Sequence, residues 1–182
     1  MPTVSPCPIP DTAFLRQYTQ GTGFTDCYCT GIDATVSLET YLRAFYATPL
    51  FRTERLILKH LVARPSTDRD LEALASGAAD TFAAWRVEAR APDQILLADF
   101  SGRTRSWLMV AACGQDDAPA RTRLYFGSAV VPRPGRAGHP PRMGFAFSAL
   151  LGFHRMYSRL LLGAARARIL DQRKRLASKV DR

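Results

Sequence analysis

The sequence predicts an α+β fold in which an antiparallel β-sheet is wrapped on a long C-terminal helix. Three observations carry this expectation. Residues 81–131 alternate apolar and polar side chains in four runs joined by short links, the pattern of an antiparallel meander. Residues 37–77 instead repeat their apolar side chains at three and four, as helices do. From Gly144 onward that helical period returns and runs to the end of the chain.

The elements follow in order. Met1 to Pro10 holds four prolines, so the chain is expected to begin as an irregular, mobile arm. Asp26 to Ile32 reads as a first strand, with Cys27, Cys29 and Gly31 on one face and Tyr28, Thr30 and Ile32 on the other. Ser37 is a good N-cap for a helix carrying Leu38, Tyr41, Leu42 and Phe45 at helical spacing. Pro49 breaks or restarts that helix, and a second is predicted over Leu50 to Val62. Pro65-Ser66-Thr67-Asp68 ends it and caps a third, shorter helix through Leu71 and Leu74 to Gly77, which suits a C-cap. Two to three helices therefore separate the first strand from the meander.

Thr81 to Ala89 reads as one strand, with Trp85, Val87 and Ala89 on one face and Arg86, Glu88 and Arg90 on the other. Gln94 to Phe100, Arg103 to Ala112 and Arg121 to Val131 complete the meander. Its links are Ala91-Pro92-Asp93, Ser101-Gly102 and a polar loop over Gly114 to Ala120. Pro132 to Met143 is a loop leading to the terminal helix, whose predicted stripe is Phe145, Leu150, Phe153, Met156, Tyr157, Leu160, Leu161, Ala164 and Ala165. Arg155, Arg159, Arg166 and Arg168 fall outside that stripe. Such a sheet has one apolar face needing cover, and this helix supplies it. The chain thus divides into an irregular arm (1–24), a single α+β domain (25–170) and a basic helical tail (171–182).

At 182 residues, 47% hydrophobic and 23% charged, the composition suits one soluble globular domain. The longest apolar run, Met143 to Phe153, falls short of the roughly 20 residues that span a bilayer. The N-terminus shows no basic-then-apolar leader pattern, so a cytoplasmic location is expected. The net charge of +9 is concentrated: from Arg155 on, nine Arg or Lys stand against two Asp, a net of +7. That suits the negative end of a helix dipole and argues against nucleic acid as a partner. Cys7, Cys27, Cys29 and Cys113 are too few for a disulfide framework in a chain this long and read as buried or half-buried thiols. His60, His139 and His154 stand at no ligand spacing with them, so no metal and no cofactor are predicted.

In element order the chain resembles the helix-grip fold of the START and polyketide-cyclase-like superfamily. In its residues it resembles a bacterial domain-of-unknown-function family related to that superfamily. The segments that carry the resemblance are Tyr18 with Thr25-Asp26-Cys27, Phe45 to Phe51, Asp99 to Val110, Leu124 to Ser128 and Leu150 to Arg159. The resemblance implies a cavity between sheet and terminal helix, and it offers no established catalytic residues to carry over.

The candidate site centres on the hairpin Asp99 to Val110. If Trp107 and Met109 point inward, Arg105 does too, and Asp99 on the neighbouring strand is placed to meet it as a carboxylate–guanidinium pair. The alternative has Arg105 facing a cavity and binding an acidic headgroup. His154 stands on the terminal helix with Tyr157 and Ser158 at i+3 and i+4, either as a hydrogen-bonded boundary residue or as a proton shuttle. The leading expectation is a domain binding an apolar or amphipathic small molecule, lined by Asp99, Arg105, Trp107, Tyr125, His154 and Tyr157. A second is a cyclase- or isomerase-like enzyme with His154 or Asp99 as acid/base. A third is an interaction module whose basic terminal helix makes a peripheral contact with an anionic membrane or docks on a partner.

Overall fold

The computed structural model describes residues 3–20, 23–49, 51, 66–113, 121–131 and 145–180, with all their side chains except those of 145–154 and 180. The helix predicted over Leu50 to Val62 (Phe51 apart) and the loops Gly114 to Ala120 and Pro132 to Met143 lie outside these residues. The strands are β1 (Ser5–Pro6), β2 (Phe24–Ile32), β3 (Thr81–Phe82), β4 (Trp85–Arg90), β5 (Gln94–Asp99), β6 (Thr104–Cys113) and β7 (Arg121–Val130). They form a seven-stranded antiparallel sheet in the order β1-β2-β7-β6-β5-β4-β3. Strands β4 to β7 are the predicted meander, and β2 closes onto the meander's last strand. The described helices are α1 (Leu38–Tyr46), α2 (Asp68–Ser76) and α3 (Phe145–Val180), and α3 packs on α1, β2 and β7.

Local chemistry sets the helix ends where the sequence put them. Ser37 accepts the Thr40 N–H at 3.2 Å to cap α1. Thr67 and Asp70 form a reciprocal capping box on α2, and Gly77 ends it in the left-handed region at φ 82°. The Thr48 hydroxyl accepts the Phe51 N–H at 3.2 Å, so the helical turn at Pro49 restarts behind its own cap.

Strand alternation assigns each side chain to a front face, toward α1 and α3, or to a back face. Tyr28, Ile32, Val87, Ile95, Leu97, Leu108, Leu124 and Phe126 make the front core with Leu161, Leu162, Ala165 and Ile169 of α3. Cys27, Leu96, Trp107, Met109 and Ala129 make a second core on the back. The cover of that back core is the N-terminal segment: Cys7, Ile9, Ala13, Phe14, Leu15 and Tyr18 pack against it. The expectation of one apolar face is therefore corrected. Both faces are covered, which is why Ser106 to Val110 is buried at five consecutive positions.

The N-terminal segment is tied to the sheet rather than free of it. Ser5 and Pro6 pair with Cys29 and Tyr28 as an edge strand, and Phe14–Tyr18 forms a 3-10 turn across the back. Leu15 is fully buried above Gly127, where a Cβ would stand 2.6 Å from Leu15 Cδ2 and 2.8 Å from the Asp26 carbonyl oxygen. Glycine at 127 is what allows the turn to sit this close.

Two further corrections concern the edges. Thr81 to Ala89 is two strands, because the chain reverses at Ala83, a non-glycine residue at φ 53°. A bulge at Glu88 then shifts the register, so Ala89 joins the back core while Trp85 and Val87 pack on the front. On α3 the buried stripe is Ser158, Leu161, Leu162, Ala165 and Ile169, whereas Met156 and Leu160, predicted to be inside, are 52% and 53% exposed. The helix is rotated from the expected stripe because arginines latch it to β2. Arg155 and Arg159 lie over the rings of Phe24 and Tyr28, and Arg166 Nε donates to the Gly31 carbonyl at 2.9 Å.

Candidate functional site

A cavity of about 290 Å³ lies between the front of the sheet, the end of α1 and the middle of α3. One side is apolar, formed by Phe45, Tyr46, Phe51, Trp85, Phe126, Tyr157 and Leu161. The other is polar, formed by Asp99, Thr104, Ser106 and Ser128. Register explains the polar side. Asp26 pairs with Ser128 across β2 and β7, and Ser128 pairs with Ser106 across β7 and β6. The three form one cross-strand row on the front face. Asp26 Oδ1 accepts from the Ser128 hydroxyl at 2.5 Å and its N–H at 3.2 Å. Ser106 is buried, and among the described residues its hydroxyl has no hydrogen-bond partner. The next row, Tyr28, Phe126, Leu108 and Ile95, is apolar again apart from the tyrosine hydroxyl. Burial and the neighbouring Asp26 carboxylate push the Tyr28 phenol up, against the pull of Arg159 and Arg155.

The six residues singled out from the sequence do not all meet at the cavity. Asp99 and Tyr157 line the cavity. Trp107 and Tyr125 stand on the back face, their ring centroids 6.1 Å apart beneath the N-terminal segment. Arg105 reaches the cavity edge, but its guanidinium turns to the back. The side chain of His154 lies outside the description.

The predicted Asp99–Arg105 pair does not form, and strand parity is the reason. Arg105 pairs across the ladder with Ala98, so Asp99, one residue on, faces the opposite side. Arg105 Nε instead meets Glu88 Oε2 at 2.6 Å and Tyr18 Oη at 2.9 Å, with the guanidinium over the Tyr18 ring. Tyr18 in turn donates to Glu88 Oε1. Burial and the Glu88 hydrogen bond raise the Tyr18 phenol above its ordinary value, against the opposing pull of Arg105.

Asp99 caps its own hairpin. Its Oδ1 accepts from the N–H groups of Arg103 at 2.7 Å and Thr104 at 2.9 Å, and Oδ2 accepts from the Ser101 hydroxyl. Burial pushes this carboxyl up, but the Ser101 hydroxyl and the backbone N–H groups of Thr104, Arg103 and Ser101 outweigh it and hold it below the ordinary range. It is an ionised turn cap with both oxygens engaged, the opposite of a poised acid/base. Phe100, beside it, stands 58% exposed where the cavity meets solvent.

Sequence reasoning missed Gln94, a polar side chain of the back core that ties three elements together. Its Oε1 accepts from Trp107 Nε1 and the Phe14 N–H, each at 2.9 Å, and its Nε2 donates to the Thr12 carbonyl at 2.9 Å. It also missed the row of Asp26, Ser128 and Ser106, which becomes visible only once register is known. Among the described residues, no His, Cys, Asp or Glu cluster could hold a metal ion. No helix there is long and apolar enough to cross a membrane.

The fold and site define an α+β protein with a half-polar cavity between a seven-stranded antiparallel sheet and its C-terminal helix. Compared with known protein families, curated proteins and solved structures, the chain finds no match.

Proposed function

We propose that the protein binds a small amphipathic molecule in the cavity between the sheet and α3. The observation that carries this reading is the cavity's division into an aromatic side and a row of buried hydroxyls. A ligand whose polar end meets Ser106 and Ser128 hydrogen-bonds there, while its apolar body rests on Phe45, Phe51 and Phe126. A volume of about 290 Å³ suits a compact ligand rather than a long acyl chain. The element order, with a C-terminal helix packed on an antiparallel sheet, supports kinship with the helix-grip superfamily as part of the same reading.

Native mass spectrometry of the gently purified chain, together with titration of anilinonaphthalene sulfonate, tests the proposal. We expect either a co-purifying small molecule or saturable probe binding that a cavity-filling Ser106→Phe variant abolishes. Absence of both from a cooperatively folded protein would overturn the reading.

A second reading has its own observation. Every described side chain from Asp171 to Lys179 is exposed, Leu176 at 65%, so the basic end of α3 stands clear of the sheet. We propose this tail as the segment that touches an anionic surface, if the protein docks on one. Salt-sensitive binding to phosphatidylserine vesicles, lost on truncation after Ile169, is the expected result. Binding that survives the truncation would remove it.

A further inference from the structure

The back of the sheet carries a thiol cluster that neither the cavity nor the helix packing uses. Cys7 follows β1, and its N–H donates to the Cys27 carbonyl at 3.0 Å. This extends the β1–β2 ladder, in which Ser5 faces Cys29, and sets Cys7 directly opposite Cys27. The two sulfurs stand 3.5 Å apart, and all three cysteines are free thiols. Residues exchanging such hydrogen bonds across an antiparallel pair have Cα atoms about 5.5 Å apart. A disulfide accepts Cα separations of roughly 4.4–6.8 Å, a range that includes such a pair, and its sulfurs close to about 2.05 Å when it forms. Cys29 shares the face, two residues along β2.

We propose that Cys7 and Cys27 form a reversible disulfide that staples the N-terminal segment across the back of the sheet. A peroxide is the oxidant. Cys7 is half-buried and Cys27 is buried, so Cys7 meets the peroxide first. Its sulfur attacks one peroxide oxygen, the O–O bond breaks, and Cys7 becomes a sulfenic acid with loss of water. The Cys27 sulfur then attacks the Cys7 sulfur, the S–O bond breaks, the S–S bond forms and a second water leaves. Two thiols and one hydrogen peroxide thus give one disulfide and two waters. A dithiol reductant reverses the link by exchange.

The surroundings make this a slow staple rather than a quick sensor. The hydrogen bond to Cys27 and burial hold the Cys7 thiol well above the ordinary range, with Cys29 and Arg123 pulling the other way. Burial likewise raises the Cys29 thiol and the Tyr125 phenol on the facing strand. Thiolate is therefore scarce at neutral pH, and oxidation is slow. The staple acts on residues that matter to the fold. Between the two cysteines lie Phe14, Leu15 and Tyr18, which cover Trp107 and hold Arg105.

The test uses the full chain. After mild treatment with hydrogen peroxide and alkylation of the remaining thiols, tryptic mapping should show the peptide ending at Arg16 joined to the one holding Cys27 and Cys29. That link should persist in Cys29→Ser, vanish in Cys7→Ser and be released by dithiothreitol. Hydrogen exchange of the amides in 9–18 should slow on the order of a hundredfold in the oxidised wild type. Full alkylation of Cys7 after Cys113 has already oxidised would overturn the proposal. So would a link that survives in Cys27→Ser, or disulfides formed only between molecules. The mapping and exchange on the wild type need no variant to fold.

Discussion

The two faces of the sheet solve the same burial problem in opposite ways. On the back, a short N-terminal segment closes over Trp107, and the polar groups of the sheet that meet it find partners: Gln94 with Trp107, Phe14 and Thr12, and Arg105 with Glu88 and Tyr18. On the front, helices α1 and α3 span the sheet but leave a cavity, beside which Ser106 is buried with its hydroxyl unpaired among the described residues. A satisfied, close-packed face serves stability, and the space beside Ser106 on the front is where the proposed ligand would sit. The contrast predicts that substitutions on the back act on stability, while those on the front act on binding.

The largest expected break is Leu15→Ala. Leu15 is fully buried and seats the 3-10 turn against Gly127, so its loss should cost about 2–5 kcal/mol in urea denaturation. Gly127→Ala attacks the same contact from the other side. Its Cβ would press on Leu15 and on the Asp26 carbonyl oxygen, for about 1–3 kcal/mol. Because both changes act on one contact, the double variant should be less destabilised than the sum of the singles. Strict additivity would mean that the turn is not held by this fit.

Gln94→Leu comes next. It fills similar space but strands the Trp107 indole N–H, the Phe14 N–H and the Thr12 carbonyl, so a loss of about 2–3 kcal/mol is expected. Trp107 fluorescence should report an altered environment as the indole N–H loses its acceptor. An unchanged denaturation midpoint would show that this network contributes nothing net.

Asp99→Asn is smaller and depends on pH. The carboxyl is held below its ordinary value, so its contribution is fully present above the unfolded value of about 3.9 and is lost as pH falls through the folded value. At neutral pH the variant should lose about 1 kcal/mol, and the difference from wild type should shrink in acid. A gap that stays constant down the acid range would mean that the charge is not what caps the hairpin.

How much of this was legible in the sequence follows from how local each feature is. The caps at Ser37 and Gly77, and the one within Pro65 to Asp68, are read from neighbouring residues and appear where expected. The turn at Ala83 carries no glycine, asparagine or proline within Phe82-Ala83-Ala84-Trp85, so two strands looked like one. The N-terminal segment reads as proline-rich and irregular, because only the apolar back face it covers gives it a fixed place. The sequence sets Asp99 on the strand neighbouring Arg105 and so places the two to meet. A turn of four residues hides the register, and one residue of register exchanges the faces. The row Asp26, Ser128 and Ser106 joins strands far apart in sequence and has no local signature at all.

The smallest stability effect is the sharpest test of the difference between the faces. Ser106 sits in the same strand as Trp107, one residue away, and is likewise buried. If both faces were merely core, Ser106→Val and Gln94→Leu would behave alike, each replacing a buried polar group by an apolar one. They differ in what they leave behind. Gln94→Leu abandons three partners, whereas Ser106→Val abandons none among the described residues and adds apolar surface beside Phe126. The expected result is a stability within about 0.5 kcal/mol of wild type, on either side, with probe binding weakened by tenfold or more. A large loss of stability would show that Ser106 holds the front core together. Unchanged probe binding would show that the row of hydroxyls does not face the ligand.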